Sequence, residues 1–233
     1  MSGWLGSISL TLALVLGAAP AGAITISFQN GVAGYTGADN RSFSFDGLTS
    51  EDVIRVDLPS MTQPAGSYAW ILFDDIIDAG AIPAGSVISS ATLEGWVDNP
   101  FGSATIGRLL DDIANRPADF GAAGVAGTFY DDDPAQLVSA AHASCVSGGL
   151  CEPPEPISWD VTAIVQAWAD GATNFGFVVI PETTNGGSLI GTDDTTNPTL
   201  RPRLVVTLVP EPGVLGLLAL GAVLIARGSR RAA

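Results

Sequence analysis

The stretch from Trp159 to Pro181 (Trp-Asp-Val-Thr-Ala-Ile-Val-Gln-Ala-Trp-Ala-Asp-Gly-Ala-Thr-Asn-Phe-Gly-Phe-Val-Val-Ile-Pro) constrains the fold more than any other. Val161, Ile164, Val165 and Trp168 recur at helical spacing and so share one face. Thr162 stands where an N-cap is expected and Gly171 where a C′ residue is, which leaves room for about two turns of helix. Phe175 to Ile180 then reads as a strand, nearly continuous in apolar and aromatic residues and closed by Pro181. A helix this short is marginal by itself. Its apolar stripe needs a sheet to cover, so the expectation is a plug over one end of a β-sandwich with Trp168 in the core.

The rest of the chain agrees with many short strands. Gly and Pro together make 43 of 233 residues, and Val, Ile, Thr and Phe recur in short runs. Both point to an all-β sandwich or barrel. Ile24 to Gln29 alternates Ile24, Ile26 and Phe28 with polar residues, as a half-buried strand does. Asn30 to Asp39 reads as a turn-rich loop, and Asp52 to Leu58 as a further strand. Tyr68 to Ile77 is apolar on both parities, which predicts a strand covered on both faces. Pro83 and Gly85 set a turn. Leu93 to Val97, Thr105 to Leu110 and Arg201 to Leu208 supply three more strands. Residues 111–157 form a long insertion rich in Ala, Gly, Asp and Pro. No fixed-period repeat is present, which argues against solenoids and propellers.

The two ends differ from this middle. Residues 1–23 hold an apolar core, Ile8 to Leu16, followed by Ala21-Gly22-Ala23, a small-residue cleavage site, so a signal peptide is expected. Its first residues carry no Lys or Arg. The domain expected next is 24–208, about 185 residues, enough to bury most of its apolar surface. In 209–233, Val-Pro-Glu-Pro precedes fourteen uncharged, mostly apolar residues, Gly213 to Ala226, and then Arg227, Arg230 and Arg231. As a helix that segment spans about 21 Å, short of the roughly 30 Å hydrocarbon core unless its flanks help. The arginines would hold its end in the cytoplasm and the domain outside. The chain has no lysine, and setting those three arginines aside takes the net charge from −15 to −18. Such a surface repels phosphate backbones, so nucleic-acid binding is not expected.

Two family resemblances attach to these residues. Asp160-Val161-Thr162, Val165-Gln166-Ala167-Trp168, Asp170-Gly171 and Asn174-Phe175-Gly176-Phe177 resemble the signature of DNRLRE-type domains. Phe73 to Ile76, Ile82 to Leu93 and Arg201 to Leu208 match the same family in type and order, so the likeness runs from about Phe28 to Leu208. It implies a single jelly-roll-like antiparallel β-sandwich with one short helix, a non-catalytic extracellular module that overlaps carbohydrate-binding modules. The tail resembles the PEP-CTERM sorting signal, Pro210, Glu211 and Pro212 matching position by position. That resemblance implies export through the general secretion machinery of a Gram-negative bacterium, transient anchoring in the inner membrane and processing by exosortase. The product would reach the outer surface or an exopolysaccharide (biofilm) matrix.

Candidate chemistry is sparse. Cys145 and Cys151 enclose Val-Ser-Gly-Gly-Leu, and in an exported protein such a pair is most simply a disulfide, pinning the insertion by roughly 2 kcal/mol. Zinc held by His142, Cys145 and Cys151 is the alternative, against which stand the irregular spacing and the oxidising compartment. His142, the sole histidine, lies in an Ala-rich stretch without a nucleophile-elbow pattern, which argues against a Ser-His-Asp hydrolase. The acidic runs Asp74-Asp75, Asp111-Asp112, Asp131-Asp132-Asp133 and Asp193-Asp194 show no EF-hand spacing. Solvated acids are the simpler reading, no cofactor is expected, and structural calcium on loop oxygens is the exception the acids allow. A glycosidase needs two carboxylates across a cleft. On a strand Asp74 and Asp75 would point to opposite faces, so a polysaccharide-active enzyme ranks last. Sugar binding asks for a flat aromatic with hydrogen-bonding neighbours. On the Leu93 to Val97 strand the polar parity carries Glu94, Trp96 and Asp98, which makes Trp96 the candidate stacking platform. Two readings stand side by side: Trp96 faces a ligand, or it packs under the insertion. Trp70 and Trp168 sit in apolar contexts and are assigned to the core.

Overall fold

In a computed structural model describing residues 23–44, 47–49, 53–56, 68–78, 81–99, 103–116, 127–141, 154–181, 187–190 and 195–209, two antiparallel sheets and one α-helix take up these runs. In chain order come β1 (Ile24–Gln29), β2 (Ala38–Ser44), β3 (Gly47–Thr49), β4 (Val53–Val56), β5 (Tyr68–Phe73) and β6 (Ile88–Asn99). Then follow β7 (Ser103–Arg108), β8 (Leu137–Ala141), β9 (Glu155–Asp160), α1 (Thr162–Ala169), β10 (Phe177–Pro181), β11 (Gly187–Ile190) and β12 (Arg203–Leu208). The expected signal peptide before Ala23, the tail from Pro210 onward, and the Cys145 and Cys151 pair lie outside the described residues.

The first sheet is built on β6, twelve residues long. One of its edges pairs with β12 over Ile88 to Glu94 and then with β11 over Trp96 to Asn99; the other edge pairs with β9 over Thr92 to Val97. β1 borders β12 and β4 borders β11. The second sheet runs in the order β3-β2-β5-β10-β7-β8. Between the sheets lies the main core, which includes Phe28, Ile71, Phe73, Leu93, Val97, Ile106, Phe177, Leu204 and Val206. Strand parity supplies it: Leu93 and Val97 point in from β6, and Leu204 and Val206 from β12.

Tyr68–Phe73 is covered on both faces, as its composition predicts. Ala69, Ile71 and Phe73 join the main core, whereas Tyr68 and Trp70 enter a second cluster with Leu109, Ile113, Phe129 and Val178. Trp70 is thus buried on the far side of its sheet from the main core. Its indole N–H donates to the Phe175 carbonyl at 2.9 Å.

The helix is as short as expected and buries Val161, Ile164, Val165 and Trp168. Trp168 packs against Phe177 with ring centroids 4.8 Å apart. The expected N-cap is corrected: Thr162 is the first helical residue, and Asp160 Oδ1 accepts from its backbone N–H at 3.0 Å. The Thr162 hydroxyl is instead used laterally, accepting from the Ala91 N–H at 2.8 Å. Gln166 holds the other flank of the helix to β6. Its Oε1 accepts from the Ile88 N–H at 2.8 Å, and its Nε2 donates to the Ser86 carbonyl at 3.1 Å. Gly171 follows the C-cap with φ +106°, the left-handed conformation a C′ residue needs.

Several boundaries move. The strand after the helix begins at Phe177, because Gly176 turns with φ +93°, and a Cβ there would lie 2.7 Å from the Ile71 carbonyl oxygen. The strand expected to reach Ile77 ends at Phe73, so Asp74 and Asp75 stand on a turn, Asp75 with φ +53°. The insertion is structured where it is described. It supplies a short 3-10 turn (Ile113–Asn115), β8 and the first part of β9. Trp159 on β9 is almost wholly buried and donates to the Ala104 carbonyl of β7 at 3.1 Å, joining the two sheets.

Candidate functional site

The outer face of β6 is where the residues singled out from sequence meet. Ala91, Leu93 and Val97 are buried, while Thr92, Glu94 and Trp96 are half-buried on the opposite parity. The Cα partners of Trp96 are Pro156 on β9 and Ile190 on β11. Its indole therefore rises from the middle of a sheet, neither sealed nor bare. The described insertion covers Tyr68 and Trp70 of the other sheet, and its last residues, at Pro156, come beside Trp96. Asp98 belongs to β6 by its backbone, and its side chain lies outside the described residues.

Glu94 is not a free acceptor. Register places Arg203 of β12 directly across from it, and the guanidinium grips one carboxylate oxygen, Nε donating at 2.8 Å and Nη2 donating as well. Both side chains keep solvent contact, at 46% and 34% exposure, so the pair adds at most about 1 kcal/mol to stability. What the face presents is a half-buried indole next to an Arg–Glu pair, with Ser158 in register on the other side of Glu94. Such a surface offers an apolar plane for a sugar ring and a fixed donor and acceptor for hydroxyls. Arg203 was invisible to sequence reasoning because 109 residues separate it from Glu94.

The acidic runs mostly serve the backbone locally. Asp74 Oδ1 accepts from the Asp75 N–H, Asp112 Oδ1 from the Ala114 N–H, and Asp133 Oδ1 from the Ala135 N–H. These are turn and capping bonds, the ordinary work of Asp in loops. Among the described residues no three His, Cys, Asp or Glu side chains come together to hold a metal ion. Asp193, Asp194 and His142 lie outside the described residues.

Asp131 differs, since Arg108 reaches it at 2.5 Å with both side chains largely covered. Burial pushes the Asp131 carboxyl up. The hydrogen bond from Arg108, another from the Asp133 backbone N–H and the Arg108 charge outweigh that and hold it below the usual range. The Asp131 N–H also donates to the Arg108 carbonyl at 2.9 Å. The pair fastens the insertion to β7. Tyr35 donates to the Asp74 carbonyl at 2.9 Å; burial, then the charges of Asp74 and Asp75, push its phenol well above the ordinary value.

Among known proteins, no family model matches this chain and no curated protein does.

Proposed function

We propose that this chain is an exported, non-catalytic cell-surface or exopolysaccharide-matrix protein, released by exosortase and carrying weak carbohydrate affinity on the outer face of β6. On this reading the two antiparallel sheets form a jelly-roll-like sandwich of the DNRLRE type. The observation that carries export and processing is the order of segments at the C-terminus. β12 ends at Leu208, Val209 donates to the Val87 carbonyl at 2.8 Å, and Pro210-Glu211-Pro212 follows at once. A sorting motif directly behind the closing strand, then an apolar segment and three arginines, is the layout a cleavable membrane tail requires. Intact-mass measurement on chain exported from a Gram-negative host carrying exosortase tests it. Loss of the apolar and basic end is expected, and a Glu211→Ala chain should keep it. A native chain recovered at full length beside the enzyme would contradict the proposal.

Sugar contact is supported by the half-buried Trp96, which keeps part of its indole in solvent, and its Arg203–Glu94 neighbours. One observation favours a second reading, a structural or adhesive matrix protein without a small ligand. One of the two Glu94 carboxylate oxygens, Oε2, already accepts twice from Arg203, which leaves fewer groups for hydroxyls.

A further inference from the structure

Four large apolar side chains stand exposed among the described residues, and three of them mark one end of the first sheet: Ile24 at 57%, Val87 at 59% and Val209 at 44%. Ile24 opens β1 opposite Leu208, the last residue of β12. Val209 comes next and donates its N–H to the Val87 carbonyl at 2.8 Å. The chain around them is uncharged over Ile24–Gln29, 86–93 and 204–209. The adjoining turn brings up two acids, Asp78 and Asp170, whose carboxylates accept from the Ala84 N–H and from Gln166 Nε2. The fourth side chain, Val32 at 41%, lies beyond Gln29 at the opposite end of β1, a strand about 17 Å long.

We propose that this end of the sheet is a lipid-contact surface, on which the domain rests against a zwitterionic phospholipid bilayer while its tail is inserted. The proposal rests on the reading of the tail as a membrane segment, and is independent of sugar binding. The occupant follows from how little chain separates the two. Val209 stands four residues before Gly213, where the apolar run begins, so at most about 14 Å of chain parts them. The headgroup layer on each side of a bilayer is roughly 5–7 Å deep, so the end of β12 is held at or just above it. The run from Gly213 to Ala226 spans about 21 Å as a helix, against a hydrocarbon core of roughly 30 Å. A segment this short draws its flanks toward the lipid. Charged flanks would resist, whereas Ile24, Val87 and Val209 gain by leaving water. Net charge selects the lipid: at −15 the chain is repelled by an anionic surface, and a zwitterionic one has no net charge to repel it.

The test uses the exported chain with its tail, recovered from a host without exosortase and reconstituted into phosphatidylcholine vesicles. Flotation with the vesicles first reports whether the tail holds the chain to lipid. Hydroxyl-radical footprinting with mass spectrometry then reads the native side chains. Val87 is more exposed than Val32, so in water it should oxidise at least as fast. On vesicles the order should invert, with Val32 oxidising several-fold faster. Ile24→Asp with Val209→Asp changes two exposed positions, and circular dichroism checks that the variant folds. That variant should still float, and its Val87 oxidation should rise several-fold. The order of the two valines decides the matter even if the variant misfolds. A floating native chain whose Val87 keeps pace with Val32, or protection that survives in the folded variant, would overturn the proposal and leave the tail reading standing. A native chain that does not float would overturn both.

Discussion

Three side chains carry most of the account at the scale of single residues. Trp168 fills the junction between α1 and Phe177, so Trp168→Ala should cost about 3–5 kcal/mol in chemical denaturation. Its indole N–H has no hydrogen-bond partner among the described residues, so Trp168→Phe loses only volume and should cost clearly less. Asp131 sits in a part-buried pair, and Asp131→Ala would leave the Arg108 charge without it, destabilising the fold by less than the roughly 3–5 kcal/mol of a fully buried pair. Its pH dependence has a definite sign. A carboxyl held low in the folded state adds stability that is present above its unfolded value, about 3.9, and is lost as pH falls through the lower folded value. Asp131→Asn should therefore flatten the acid limb of a stability–pH curve below about pH 4; an unchanged limb would show that Arg108 does not hold this carboxylate. Trp96, half-buried on the outer face, should lose less stability on truncation to Ala than Trp168 does.

At the scale of elements, what could be read from the sequence was what periodicity and local chemistry encode. The helix face of Val161, Ile164, Val165 and Trp168, the double coverage of Tyr68–Phe73 and the inward parity of Leu93 and Val97 all follow from spacing. The Thr162 cap was misread because the helix starts one residue earlier, with Val161 as an N-cap that makes no side-chain bond, and because the Thr162 hydroxyl is taken by the Ala91 N–H of β6, a long-range contact. β2, β8 and β11 were missed because Ala, Gly, Ser and Asn give them no strong strand preference; tertiary pairing makes them strands. Arg203 beside Glu94 had no sequence signal, since register across a sheet is a long-range property. The Cys145–Cys151 link remains a prediction at this scale. A single peptide joining the two in non-reduced, exported protein is the expected mass-spectrometric result, and two freely alkylated thiols would contradict it.

For the molecule as a whole, burial of the aromatics and the acidic surface set the behaviour. Burial is the main reason that Tyr35, Tyr68 and Tyr130, the only tyrosines, all have raised values. Folded protein should thus show little phenolate absorbance near pH 10, where a free tyrosine is half ionised, and the signal should appear together with alkaline unfolding. The net charge of −15 should turn away polyanionic glycans unless calcium bridges them, so neutral sugars are the expected ligands. The most direct measurement is retention of the exported protein on immobilised neutral glycans, native chain against Trp96→Ala, with melting temperatures recorded for both. The expected result is retention of the native chain, loss in Trp96→Ala, and a cooperative melting transition in both, so that the loss is not one of fold. A native chain that binds no glycan, or a Trp96→Ala chain that binds equally well, would contradict the assignment of the β6 face as a carbohydrate surface.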